Sequence, residues 1–148
     1  MHLYKISKHI NIVAFDVPFP ANYGGVIDVY YKIAELQKQN IKVHLHCFKY
    51  GRNEAPELEN ICEKVYYYNR NNSLINQFSF LPFTVKSRLN KTLLNNLLSN
   101  NYPILFEVLH TCYLLKASAL KNRFKIYRHS NIEHDYYNAL AKGESNWL

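Results

Sequence analysis

The sequence has few cysteines, and their spacing matches no metal or redox motif. Cys47, Cys62 and Cys112 are an odd number and lie far apart, which excludes the paired spacing of a zinc site or a dithiol centre. Free, buried thiols in a reducing compartment are the interpretation that fits best. His44 and His46 alternate on one strand and can chelate a metal, but the spacing supplies no third ligand, so we predict no bound metal.

Long apolar runs are also missing. Charged or amide side chains interrupt every run well before the roughly 20 residues that a membrane-spanning helix requires. The run near the amino terminus stops at Asp16 without a small-residue cleavage site, so we interpret it as a strand and not as a signal peptide. With 148 residues, 48% apolar and 20% charged, we expect one globular domain, residues 1–148, that is soluble or peripheral.

Acidic residues are fewer than basic ones, and the formal charge is +7. Such an excess favours partners that carry phosphate, such as nucleic acid, anionic lipid or phosphorylated small molecules. Nucleic-acid binding is one alternative, but no nucleic-acid motif supports it, and we predict no such partner. A non-catalytic α/β ligand-binding module, such as a receiver, is another. A receiver would need clustered acids at strand ends, where only Asp16 follows the first strand.

The sequence does contain a regular alternation of apolar runs and amphipathic stretches. The apolar runs predict strands at residues 10–17, 41–50, 65–68, 103–109 and 124–128. The amphipathic stretches predict helices at residues 26–38, 56–62, 85–98, 113–120 and 132–142, of which the leucine stripe of 85–98 is the most regular. Asn40 is expected to end the first helix in a left-handed conformation. Together they predict a Rossmann-like, three-layer α/β domain with a mainly parallel sheet.

Three chemically rich loops follow predicted strands. Parallel strands end at one edge of a sheet, where α/β proteins bind ligands, so residues 17–25, 107–111 and 128–133 are expected to meet there. Gly24 and Gly25 precede a helix and leave its first N–H groups uncovered, which suits a phosphate or a sugar hydroxyl. A turn that simply requires glycine also explains the pair, since neither GxGxxG nor a Walker loop is present.

His129 lies at the end of the last predicted strand, beside Ser130, Asn131 and Glu133. It can hydrogen-bond a sugar or shift protons near neutral pH. Alternatively, it is a turn histidine, with Ser130 or Asn131 capping the helix that follows. The residues alone leave both interpretations open.

Two stretches resemble a known family. FDVPFPANYGGV at residues 15–26, with the helix after it, and YRHSNIEHDYY at residues 127–137 resemble the amino-terminal domain of glycosyltransferase family 4, whose enzymes have the two-domain GT-B architecture. The resemblance covers most of the chain in order, apart from residues 66–98. It implies retaining, metal-independent transfer from a nucleoside-diphosphate sugar to a glycan or lipid-linked acceptor in cell-surface polysaccharide biosynthesis, with no further cofactor.

The resemblance also implies roles for individual residues. Gly24 and Gly25 would approach the donor phosphate and the acceptor, and His129 would contact the transferring sugar as the catalytic residue. Glu107 and His110, in the loop after the fourth predicted strand, are placed for acceptor contact. The remaining substrate-binding residues lie in the histidine loop: Ser130, Asn131 and Glu133.

The family's acidic motif and its Lys/Arg phosphate clamp belong to a second domain, which binds the nucleotide sugar and is absent from this chain. The resemblance therefore implies that residues 1–148 supply the acceptor side of the cleft. We expect the domain to transfer no sugar by itself, because the developing diphosphate charge needs cationic groups from that second domain. The expected location is cytoplasmic.

Residues 74–98 suggest contact with an anionic membrane surface. Apolar anchors stand just ahead of basic side chains, which suits a lipid interface. The residues concerned are Phe78, Phe80, Leu81, Phe83, Lys86, Arg88 and Lys91. The alternative is that the leucine stripe covers the sheet while the aromatic side chains close its edge.

Overall fold

The computed structural model describes residues 8–73 and 81–129, and its centre is a five-stranded sheet. The strands are β1 (His9–Ala14), β2 (Lys42–Lys49), β3 (Lys64–Asn69), β4 (Ile104–Glu107) and β5 (Lys125–Arg128). All neighbours pair in parallel, in the spatial order β3-β2-β1-β4-β5. Each strand overlaps a predicted apolar run, and the predicted parallel α/β sheet is confirmed.

Helices connect the strands. The helix α1 (Gly24–Lys38) begins at the glycine pair, and the φ of 59° at Asn40 confirms the predicted left-handed stop. Short 3₁₀ helices overlap two further helical predictions and lie at Pro56–Asn60, Leu109–Lys116 and Ser118–Leu120. The helices α2 (Phe83–Lys86) and α3 (Lys91–Leu98) lie between β3 and β4. The helix predicted at 132–142 lies outside the described residues.

Apolar side chains fill both faces of the sheet, because successive strand residues point to opposite sides. The cluster beneath α1 and the first 3₁₀ helix contains Ile12, Ala14, Val29, Ile33, Val43, Leu45 and Leu58. The cluster beneath α3 and the later 3₁₀ helices contains Val13, Phe48, Leu93, Leu97, Ile104, Phe106, Leu114 and Leu120. Full burial of each large apolar side chain contributes about 1.5–3 kcal/mol. The two covered faces confirm the three-layer arrangement.

The prediction of one continuous helix over residues 85–98 is wrong. The first helix ends at Lys86 and the second begins at Lys91, with Asn90 in extended backbone between them. The Asn90 side chain accepts a hydrogen bond from the Leu93 backbone nitrogen at 3.0 Å, which is an N-cap. The cap starts a new helix, and Leu89, which the stripe places in the core, is 43% exposed.

The prediction that Arg88 lies on an exposed basic face is also wrong. Its side chain is buried. Its Nη2 donates to the Phe15 carbonyl at 2.9 Å, and its Nη1 donates to the Thr84 carbonyl at 2.7 Å. Arg88 therefore joins α2 to the end of β1 and is not available to a membrane surface. Lys86 and Lys91 remain for that role, whereas Phe78 and Phe80 lie outside the described residues.

A buried polar layer crosses the face of the sheet that α3 covers. Tyr68 accepts a hydrogen bond from Asn96 Nδ2 at 2.8 Å, so its own proton goes to His46 Nδ1, also at 2.8 Å. The other ring nitrogen of His46 then carries a proton and donates to Asn11 Oδ1 at 3.1 Å. Asn11 Nδ2 in turn donates to Asn100 Oδ1 at 2.9 Å. His46 is thus a satisfied core histidine, and burial lowers its pKa to about 3.

The thiols are free, as predicted. Cys47 and Cys62 are buried and Cys112 is half-buried. Burial raises the pKa of all three, to about 12 for Cys62 and about 11 for Cys112, so they are protonated at neutral pH.

Within residues 8–73 and 81–129, no helix has the length and apolar character needed to span a bilayer.

We predict that Tyr68→Phe destabilises the fold by about 1–3 kcal/mol, because it leaves the buried His46 Nδ1 and Asn96 amide without their partner. Urea denaturation measures the change. Tyr66→Phe is the matched control, since Tyr66 stacks on His46 at 4.6 Å between ring centroids while its hydroxyl makes no hydrogen bond to the described residues. Equal losses in both variants would contradict the role of the polar layer.

The lowered pKa of His46 predicts a pH dependence of stability. The unfolded histidine takes up a proton below about 6.5 and the folded one only near 3, so stability is lost as the pH falls through this window. The slope contributed by one proton is at most about 1.4 kcal/mol per pH unit. His46→Gln should flatten the profile measured by urea denaturation between pH 6.5 and 4. An unchanged slope would show that His46 is protonated in the folded state.

Candidate functional site

The strand order reverses between β1 and β4, which are neighbours in the sheet. From β1 the chain runs outward to β2 and β3, and then returns to place β4 and β5 on the other side. Such a reversal opens a crevice at the carboxyl ends of the strands, where α/β sheets bind ligands. The rings of Phe15, after β1, and His110, after β4, lie 6.2 Å apart in an edge-to-face arrangement. The end of β1, just before the predicted loop 17–25, therefore lies close to the predicted loop 107–111.

Asp16 fixes the path of the loop after β1. Its buried carboxylate accepts hydrogen bonds from the backbone nitrogen of Val17 at 2.8 Å and from that of Tyr50 at 3.2 Å. The other oxygen accepts the Tyr23 hydroxyl at 2.9 Å. Burial, followed by this hydrogen bond to Asp16, raises the Tyr23 pKa to about 12. Tyr23 is thus a neutral donor at physiological pH.

Arg52 holds the same loop from outside. Its Nη1 donates to Asn22 Oδ1 at 2.9 Å, and its Nη2 donates to the Pro20 carbonyl. The guanidinium also lies 5.3 Å from the centroid of the Tyr23 ring, within cation–π range. The loop between β1 and α1 is therefore tied at both ends, by Asp16 on the sheet side and by Arg52 on the outer side.

The two glycines at the start of α1 have different surroundings. A Cβ at Gly25 would lie 2.6 Å from Cζ of Phe15, whereas a Cβ at Gly24 would meet no atom within 4 Å. A side chain at position 25 would therefore force the Phe15 ring to move, so Gly25 allows the helix to start close to this ring. Tyr23, the residue before the helix, supplies no side-chain cap. The first amides of α1 are thus left without a local side-chain acceptor.

A charged network joins β4, β5 and α1 at the crevice. The fully buried Glu107 carboxylate accepts from Lys32 Nζ at 2.5 Å on one oxygen and from Arg128 Nη1 at 3.1 Å on the other. Asp28, one turn before Lys32, pairs with both cations, at 3.5 Å from Lys32 Nζ and in direct contact with Arg128. Two positive and two negative charges balance within the network. Both oxygens of the Glu107 side chain therefore accept hydrogen bonds from Lys32 and Arg128. Contact between Glu107 and an acceptor stays a prediction.

The residue after Glu107 has an unusual backbone. Val108 adopts a φ of 57°, which costs a β-branched residue on the order of 1–3 kcal/mol. Surrounding contacts hold it there: its nitrogen donates to the Arg128 carbonyl at 3.0 Å, and its carbonyl accepts the Thr111 hydroxyl at 3.1 Å. Strain of this kind is found at binding sites. Here it turns the chain directly into the half-buried His110.

His129 is exposed and follows the last strand of the sheet order, where its ring meets Tyr127 edge-to-face at 5.6 Å. It shares the carboxyl edge with the glycine turn and the Glu107 loop, but β4 lies between β5 and β1, which are about 10 Å apart. The partners predicted beside it, Ser130, Asn131 and Glu133, lie outside the described residues. The predicted site residues that are described thus share one edge of the sheet.

Sequence reasoning missed Lys32, Asp28 and Arg128 as partners of Glu107. One signal was present: Asp28 and Lys32 are four residues apart, which places them on one face of the helix that follows the glycine turn. That pattern does not indicate which strand end the pair would meet.

Comparison with known proteins finds one informative relative. The chain is 35% identical over 144 residues to an uncharacterized 44.6 kDa protein in the cps region of Klebsiella pneumoniae. The alignment covers 92% of this chain, and the chain spans 37% of the length of that relative. No protein-family profile matches the chain, and no solved structure does.

We predict that Glu107→Gln destabilises the fold by about 3 kcal/mol, because it removes a buried charge and leaves Lys32 and Arg128 without their shared partner. Glu63→Gln is the matched control, since Glu63 forms an exposed ion pair with Lys42 at 3.0 Å. Its expected cost is about 0–1 kcal/mol. Urea denaturation at neutral pH measures both values, and similar losses would mean that the Glu107 network does not hold the crevice together.

Proposed function

We propose that this chain forms the acceptor side of a retaining glycosyltransferase, which moves a sugar from a nucleoside-diphosphate sugar to a glycan or lipid-linked acceptor. The observation that carries the proposal is the crevice at the reversal of strand order, where the glycine turn, the Glu107 loop and His129 share one edge of a parallel sheet. Ligands of open α/β sheets bind at this position. The resemblance of the loops at both ends of the chain to glycosyltransferase family 4 supports the same assignment.

The relative from Klebsiella pneumoniae supports a polysaccharide-related role. That relative is a protein of a cps region. A biosynthetic enzyme acting on a surface polysaccharide agrees with a crevice built for a polar ligand. The sugar, the nucleotide and the acceptor belong to the proposal for the whole protein, because the chain spans 37% of this relative.

The charges of the site bear on which domain would bind the diphosphate. In sugar transfer, the bond from the sugar C1 to the diphosphate breaks and negative charge develops on the leaving group. Lys32 and Arg128 are already balanced by Glu107 and Asp28 and do not supply that compensation. Because this network has no cation to spare, we infer that cations of a second domain hold the diphosphate.

On the acceptor side, four of the predicted residues would have the following parts. The amides at Gly24 and Gly25 would face the phosphate and the incoming acceptor, since no side chain caps this end of α1. His110 would contact the acceptor across the crevice from Phe15. His129, which is exposed, would hydrogen-bond the transferring sugar. A cytoplasmic location, with peripheral contact to an anionic membrane through Lys86 and Lys91, completes the proposal.

The proposal is tested by sugar transfer in two proteins. One is the 148-residue chain alone, and the other is a fusion in which the chain replaces the aligned part of the Klebsiella relative. Product formation from a panel of nucleotide sugars, with lipid-linked and oligosaccharide acceptors, is measured by mass spectrometry. We expect product from the fusion and none from the chain alone, because the diphosphate needs the second domain. Enzyme-like turnover by the chain alone would contradict this division.

In the fusion, His129→Ala should lower turnover by about 100-fold. Removing one hydrogen bond to the transition state lowers turnover by at least this factor in acyl-transfer enzymes. His44→Ala, at the amino end of the sheet, is the control and should keep turnover. Both variants are checked for a cooperative melting transition. Near-normal turnover of the His129→Ala variant would show that His129 does not contact the transferring sugar.

A further inference from the structure

Two arginines near the carboxyl ends of β2 and β3 have no carboxylate partner among the described residues. Arg70 follows β3, and its Nε and Nη2 both donate to the Ser87 hydroxyl oxygen, at 3.2 and 3.1 Å. Its Nη1 makes no hydrogen bond to the described residues. Among the described residues, Arg88 donates only to the carbonyls of Phe15 and Thr84. Within residues 8–73 and 81–129, no ion pair therefore neutralises the positive charge of this pair.

The position of Arg88 makes this charge costly. The side chain is 3% exposed, and removing a cation from water is unfavourable unless another charge compensates it. Burial and then the nearby charge of Arg70 lower the Arg88 pKa to about 10, so the group still carries its charge at neutral pH. The Asp16 carboxylate attracts Arg88 and offsets part of the positive charge of the two arginines, but it makes no hydrogen bond to either of them among the described residues. An anion from outside would offset the remaining charge.

Aromatic side chains hold Arg70 in a defined orientation. Its guanidinium carbon lies 4.2 Å from the centroid of the Tyr50 ring and 5.7 Å from that of Phe83. Stacking on a ring fixes the plane of the guanidinium, and a fixed fork of N–H donors matches the geometry of a phosphate. Tyr50 is 60% exposed and Arg70 is half-buried, so solvent reaches both residues.

We propose that Arg70, supported by the buried Arg88, binds the phosphate group of a phosphorylated ligand beside the Tyr50 ring. This assignment rests on the proposed function in so far as the bound molecule is the acceptor. The site is separate from the Glu107 network, whose charges already balance, and it lies on the β2–β3 side of the same edge of the sheet. The phosphate can come from a soluble sugar phosphate or from a lipid headgroup, which offer the same chemistry.

Binding of three probes to the 148-residue chain tests the site. Inorganic phosphate and glucose 1-phosphate are titrated by calorimetry at low ionic strength, and neutral vesicles doped with phosphatidic acid are tested by sedimentation. We expect saturable binding of glucose 1-phosphate or of the doped vesicles, and the stronger of the two identifies the source of the phosphate. Absence of saturable binding in all three measurements would overturn the proposal.

Three variants assign the binding to Arg70. Arg70→Gln should weaken the affinity by about tenfold or more, because charge-assisted hydrogen bonds are lost. Arg70→Lys keeps the charge but loses the fork and the stacking, so it should give an intermediate affinity. Lys121→Gln removes one charge from an exposed side chain just before β5 and should bind like the wild type. If Arg70→Gln and Lys121→Gln weakened the affinity equally, the binding would depend on net charge alone, and the proposed site would be wrong.

The two proposals fail in distinguishable ways. Thermal melting of each variant separates a loss of binding from a loss of folding, and Arg70→Lys keeps the test open if Arg70→Gln unfolds. Arg70-dependent binding without sugar transfer by the fusion would contradict the proposed function alone. Transfer by the fusion with an acceptor KM unchanged by Arg70→Gln would contradict the phosphate site alone.

Discussion

A carboxylate that leaves water must be neutralised, and the buried Glu107 imposes this condition on three elements at once. Lys32 comes from α1, Arg128 comes from β5, and Glu107 itself ends β4. Because the Glu107 carboxylate binds both cations, α1 and β5 cannot move independently of β4. The shape of the carboxyl edge of the sheet therefore depends on an interaction whose members lie far apart in the sequence. The strained Val108 follows directly and is held by the same strand end.

The reversal of strand order divides the carboxyl edge into two halves with different electrostatics. On the β4–β5 side, the charges of the Glu107 network cancel. On the β2–β3 side, Arg70 and Arg88 have no carboxylate partner among residues 8–73 and 81–129. A ligand that lies across the crevice would thus meet a neutral polar wall on one side and a cationic wall on the other. Under the proposed phosphate site, this asymmetry would orient a bound molecule with its anionic end toward β3.

Local patterns predicted the strands and α1, because an apolar run or a helical stripe depends only on neighbouring residues. The continuous helix at 85–98 failed for a local reason as well: the Asn90 side chain satisfies the Leu93 amide and starts a new helix. Contacts between residues far apart in the chain could not be predicted from local patterns. Arg88 finds the Phe15 carbonyl 73 residues away, and Lys32 finds Glu107 at a separation of 75. The common edge of the predicted site residues followed from topology, whereas their partners depended on packing between distant elements.

Asp16 has a consequence for any molecule that enters the crevice. Its carboxylate holds Val17, Tyr23 and the Tyr50 backbone in one arrangement, and Arg52 fixes Asn22 and the Pro20 carbonyl from the other side. A loop that must be ordered on binding reduces affinity, because immobilising each flexible side chain costs about 0.5–1.5 kcal/mol. Here much of this entropy has been lost during folding. A ligand would therefore meet a preorganised wall, and its affinity would reflect its own contacts more than the ordering of the protein.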